Sequence, residues 1–172
     1  MTTAQPLLKT LQSKLSRVIM SAKPQSKPES NEFTSTTRFG EITLSSDKLI
    51  TFSQGLFGFA ECTSFGLSQV PGSQNSPLLL LHCPDRPEVT FVVVDPSALG
   101  LTFNEGDIEG AIKEAGYSSA DTQVLVILTI YKTDETASIT ANLRAPILID
   151  TAAQRGLQFI MLEGNYNTQH KI

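Results

Sequence analysis

The chain has 172 residues, 40% of them apolar and 17% charged, which suits one globular domain with an extension and excludes a wholly disordered chain. Thirteen Lys and Arg against seventeen Asp and Glu give net −4, but unevenly: residues 1–38 hold six basic and two acidic groups, leaving seven basic and fifteen acidic in 39–172, net −8. A body that acidic excludes direct nucleic-acid binding through its own surface, because phosphates need cations, and it suits a basic protein partner.

In chain order, Leu7, Leu8, Leu11, Leu15, Val18 and Ile19 recur at helical spacing, with Lys9, Lys14 and Arg17 mostly off that stripe. This predicts a short amphipathic helix over 7–20 with a basic face, a partner- or membrane-docking element or a frayed tail. Neither a signal-type apolar region nor a membrane span is present in the sequence, so export is not expected and the cytoplasm is. Residues 21–32, with Pro24 and Pro28, read as a linker. The expected domains are therefore an extension over 1–32 and a body over 33–172.

From Phe33 the pattern changes to short β-branched and aromatic runs: 33–39, 41–44, 49–52, 78–83, 89–94, 124–131, 139–143, 147–149 and 157–162. Their lengths and turn spacing predict strands closing into a sandwich or small barrel. Only 104–115 looks helical, with Asp107 as its cap and Gly116 as its stop. The expected fold is mainly β, a compact β-barrel-like domain with one short helix, preceded by the amphipathic helical extension.

Chemistry is sparse. There is no nucleophile elbow and no dinucleotide or phosphate loop. Cys62 and Cys83 are too few for a disulfide framework or a four-cysteine zinc site and read as reduced core thiols. His82 reads as a satisfied strand-end histidine, and His170, near the terminus, as solvated. No metal or cofactor is expected. Carboxylates sit in turns (Asp47, Asp85, Glu88, Asp95, Asp121, Asp134, Glu135, Asp150), where a solvated rim is the plain reading and a paired acid and base the sharper one. The strongest polar anomaly is the run Thr140-Ala-Asn142-Leu-Arg144-Ala-Pro146. Pro146 marks a strand start, edge or corner. Asn142 is either a structural amide bonding the bend or part of an exposed recognition edge; if it is buried, a carboxylate there should cost more than alanine.

Several segments then line up together. Arg38-Phe-Gly-Glu-Ile42, Ile50-Thr-Phe-Ser-Gln-Gly55-Leu-Phe-Gly58-Phe59, Phe91-Val-Val-Val-Asp95-Pro96, Thr140 to Asp150, Arg155-Gly-Leu-Gln158 and Asn165-Tyr166 resemble, in order, the FliW flagellar assembly factor family, over about Thr36 to His170. The sequence departs from the family at Ser53 and Phe57, where proline is common, and around Leu80 to Cys83, where Trp and Gln are frequent. The resemblance implies a bacterial cytoplasmic protein without catalysis, monomeric when free, that binds the translational regulator CsrA, relieves its repression of flagellin messenger RNA, and also binds flagellin. On this reading Asp85, Glu88, Asn142, Arg144 and Pro146 are the candidate partner-binding residues. The alternatives are a hydrolytic enzyme using turn carboxylates in a small barrel, and a nucleic-acid-binding barrel, for which the body has too few cations.

Overall fold

The structure, a computed structural model, describes residues 31–133 and 135–172. The helix expected over 7–20, nearly all of the linker, and Asp134 lie outside the described residues. The described strands are β1 (Glu32–Thr37), β2 (Gly40–Ser45), β3 (Ile50–Thr51), β4 (Ser64–Gln69), β5 (Leu79–His82), β6 (Thr90–Val94), β7 (Thr122–Lys132), β8 (Ala137–Ala141), β9 (Ile147–Asp150), β10 (Arg155–Gln158) and β11 (His170–Lys171). One α-helix, α1 (Glu105–Glu114), stands between β6 and β7.

The sheet closes on itself. Its order β7-β6-β5-β4-β3-β10-β9 returns to β7 through a β7–β9 pairing. The length of β7 makes closure possible: Thr122–Leu125 pair with β9 and Leu128–Lys132 pair with β8 along the same edge. Leu128 faces Ala141 while Leu125 faces Ile147, so three steps along β7 match six along the partner. The surplus residues are extruded as the bend Asn142–Pro146. Closure is thinnest between β3 and β10, whose parallel pairing is the single pair Thr51–Arg155.

Along β5, β6, β9 and the first part of β7 the apolar runs are continuous because both faces are buried. Leu81, Cys83, Val93, Leu125, Ile147 and Ile149 point inward and pack with Phe52, Leu56, Cys62 and Phe65. Leu80, Val92, Val94, Val126 and Leu128 point outward beneath Ile42 and Leu44 of the β1–β2 hairpin. Leu148 points out beneath Ala111 and Ile112 of α1.

His82, fully buried, fastens the hairpin to the barrel. Its Nε2 lies 2.7 Å from Ser35 Oγ on β1 and its Nδ1 2.8 Å from Thr90 Oγ1 on β6. Burial pushes its pKa down. Cys62 and Cys83 are buried free thiols, as expected; burial, and then the neighbouring Cys83 thiol, push Cys62 up to about 11.

Four local expectations change. Asn104 caps α1, its Oδ1 accepting the Gly106 N–H at 3.0 Å; Asp107 instead accepts the Tyr166 hydroxyl at 2.7 Å. Strand β4 is an addition to the expected set, because its Gly66 breaks the propensity signal. That glycine is needed where Leu44 crosses: a Cβ would come within 2.7 Å of the leucine side chain. Strand β11 is a second addition, and it makes His170 a half-buried partner of Ala141 in place of a solvated tail residue.

Candidate partner-binding mouth

Three segments meet at one mouth of the barrel. The first is the 52–62 loop, folded into consecutive tight turns by the bonds Gly55 N–H to Phe52 O (3.0 Å), Phe59 N–H to Leu56 O (2.8 Å) and Cys62 N–H to Phe59 O (3.1 Å). Gly55 sits at φ +63°, and a Cβ there would lie 2.2 Å from the Phe59 carbonyl oxygen, so the first turn requires glycine. These turns lay Phe59 edge-on against Phe91 at 5.2 Å and leave Phe57 56% exposed at the rim.

The second segment is the bend. Asn142 donates its main-chain N–H to Ile127 O (2.9 Å), holding it to β7, while its side-chain Oδ1 accepts the Ala145 N–H (3.0 Å). This bond is the one a structural amide would make: the side chain replaces the ladder partner that the extruded residues lose. The same bond fixes which side-chain atom is oxygen and leaves Nδ2 without a partner among the described residues. Pro146 is buried at the corner before β9, and its carbonyl accepts the Phe159 N–H (2.9 Å). The Arg144 carbonyl accepts the Met161 N–H (2.9 Å). Among the described residues its half-buried guanidinium forms no ion pair.

Gln158 joins the two. Its Oε1 accepts the Phe57 N–H (3.0 Å) and its Nε2 donates to Ala145 O (3.2 Å). In the sequence Gln158 stands only as the end of a family-like segment and not as a site residue, although a polar residue between Leu157 and Phe159 is a signal for one. Leu56, Phe57, Phe91, Ile127, Asn142 and Arg144 line a cleft of about 360 Å³ at this mouth. A second cleft, about 530 Å³, shares Arg144 and runs along Gly164–Thr168. Neither is lined by a carboxylate.

Asp85 and Glu88 are not brought to these clefts. They lie on the exposed β5–β6 turn, where Arg86 bridges Glu61 (2.9 Å) and Glu88 (2.5 Å). The Glu88 main-chain N–H, and then Arg86, hold the Glu88 carboxyl below its usual range. Two of the other turn carboxylates have local duties. Asp95 accepts the Ser97 N–H at 2.9 Å. Asp150 accepts the Ala153 N–H and pairs with Arg155, both at 2.9 Å, and these two bonds hold it low. Among the described residues no three His, Cys, Asp or Glu side chains group as metal ligands, and no helix is long and apolar enough to cross a membrane.

The described barrel as a whole is similar to known proteins. The sequence profile described as FliW protein matches residues 33–172. A flagellar assembly factor FliW of Natranaerobius thermophilus is 31% identical over 137 residues, covering 78% of this chain and 87% of its own. That of Bacillus velezensis is 33% identical over 135 residues, covering 77% and 91%. A crystal structure of the flagellar assembly factor FliW superposes with a TM-score of 0.61 at 26% identity, covering 81% of this chain and 95% of that one. With the profile spanning the whole described barrel, the chain belongs to the FliW family of flagellar assembly factors.

Proposed function

We propose that this protein is a non-catalytic cytoplasmic regulator, monomeric when free, that binds a CsrA-type RNA-binding protein, relieves its repression of flagellin messenger RNA, and also binds flagellin. The observation that carries the reading is the mouth. The Gly55–Phe59 loop, the Asn142–Pro146 bend and Gln158, all within family-like segments, converge on an apolar cleft that presents amide and guanidinium donors and no acid–base pair. Such a surface suits recognition and offers nothing to activate a nucleophile. The acidic body, net −8 over residues 39–172, favours encounter with a basic partner. Asp85 and Glu88, on a separate exposed turn, are candidates for that long-range attraction, whereas Asn142 and Arg144 are candidates for contact.

The test is titration calorimetry of the purified protein against CsrA and against flagellin from the same organism, repeated with Arg144→Glu and with Asp85→Lys/Glu88→Lys. Both partners should bind. Arg144→Glu should weaken affinity, and the turn variant should slow association mainly at low salt, since attraction between exposed charges fades beyond a Debye length of ~8 Å at physiological ionic strength. Absence of binding to both partners would overturn the reading.

A further inference from the structure

The strand after Gln158 has an unguarded edge. Phe159 and Met161 donate to Pro146 and Arg144, which continues the β10–β9 register of Gln158 with Ile147 past the end of β10. Strand geometry then aims the main-chain groups of Ile160 and Leu162 the opposite way. Among the described residues neither has a hydrogen-bond partner. The strand that could cover them, β3, turns off after its single pair with Arg155. Edges are normally protected by lysine, proline or a bulge. This one carries Ile160, 41% exposed, and Leu162, 79% exposed.

The flanks differ in chemistry. On one side lies the apolar mouth with Phe57, Phe91 and Ile127. On the other lies a groove of about 300 Å³ against α1, lined by Phe159, Met161 and Leu162 and carrying Asp107, Glu114 and Glu163 with no cation. A strand laid beside Ile160–Leu162 would turn alternate side chains to each flank.

We propose that the Ile160–Leu162 edge accepts an added β-strand from a partner protein, an extended segment with apolar side chains toward the mouth and lysine or arginine toward the α1 groove. Main-chain bonds supply affinity and the two flanks supply the pattern. The inference rests on the reading of the mouth as a partner surface and names the kind of segment it takes.

The probe is a capped heptapeptide alternating valine and lysine, with a valine–glutamate peptide as control, measured by calorimetry and by amide hydrogen exchange on the full chain. The valine–lysine peptide should bind, slow exchange at Ile160 and Leu162, and outcompete the control. Leu162→Pro, which removes an edge donor while sparing the Phe159 and Met161 bonds, should weaken binding by about tenfold or more, and Leu162→Thr, which keeps the donor, by only about threefold. Ile160→Pro repeats the test if the first variant melts early. No binding of the valine–lysine peptide, equal binding of the control, unslowed exchange at both residues, or full affinity in a folded proline variant would overturn the proposal. If CsrA and flagellin bind wild type and the folded proline variants equally, this inference fails and the partner reading stands. If neither binds wild type, the partner reading fails, and the peptide result decides the edge alone.

Discussion

Asn142 separates support of the fold from recognition, because its two side-chain atoms do different things. Oδ1 accepts the Ala145 N–H at 3.0 Å, and Ala145 is buried. Asn142→Ala strands that donor, at about 1–3 kcal/mol for a buried group. Because Asn142 is half-buried and borders the cleft, water can reach part of the vacated space. We therefore expect about 1–2 kcal/mol, or about 3–8 °C in melting temperature for a domain of this size. Asn142→Asp keeps the acceptor and makes it a charged one, beside a cleft that also holds Arg144. It should cost less than alanine, within about 1 kcal/mol, which reverses the order expected for a fully buried amide. Affinity should run the other way. Aspartate loses the free Nδ2 donor and puts a charge where no carboxylate stands, so it should weaken partner binding by about tenfold while the protein stays stable. Thermal melts and calorimetry on the two variants decide the matter. Aspartate destabilising more than alanine would show that the side chain is a desolvated core group, and would refute a water-accessible amide bracing the bend.

Gly55→Ala should destabilise by about 2–4 kcal/mol in chemical denaturation, combining left-handed strain with a backbone clash against Phe59; a change near zero would mean the 52–62 turns are not tight. Thr140 Oγ1 is buried without a partner among the described residues, so Thr140→Val should stabilise by up to about 1 kcal/mol, and a loss of stability would reveal a bond that the geometry does not contain. His82 has its pKa lowered by burial, so the unfolded chain, titrating near ~6.5, binds the proton more readily. Stability should therefore fall as pH drops below that value and level off beneath the folded pKa; His82→Gln should flatten the slope of melting temperature against pH. A chain starting at Asn31, just ahead of β1, should fold with a melting temperature within a few degrees of full length, and a larger fall would assign residues 1–30 a role in packing.

What could be read in the sequence follows from how each element is stabilised. The Val89–Val94 run and the first part of Val124–Tyr131 announce strands through side-chain type, because their packing partners are apolar on both faces. Gly116 ends α1 as expected, at φ +71°, since a stop signal is local. Elements held by distant partners were less legible. Strand β4 depends on Leu44 crossing Gly66, and β11 on the far edge of β8. The true cap, Asn104, lies three residues ahead of the one that looked suitable, and that one, Asp107, is drawn to Tyr166, 59 positions away. At the site, Asn142 stood out because an amide in an apolar strand run needs a partner. Gln158 did not, because its meaning lies in two bonds to the separate segments at Phe57 and Ala145.

Burial of the sheet on both faces has a consequence for where recognition can occur. The inner face is filled by aromatic and aliphatic side chains, and the outer face is covered by the β1–β2 hairpin and α1. Neither can be offered to a partner without opening the core, at several kcal/mol for each large side chain exposed. What is left is the mouth, the turns, any unpaired edge and the far end of β7, where Ile130 and Tyr131 are exposed. The seam between β3 and β10 is where closure is weakest, and it is also where the loop, the bend and the open strand meet. The register slip that extrudes Asn142–Pro146 keeps β8 and β9 on one edge of β7, and in doing so places Asn142 and Arg144 beside that seam. One slip therefore closes the barrel and builds its candidate binding surface, so variants that restore continuous β8–β9 pairing should gain ladder bonds and lose partner affinity together.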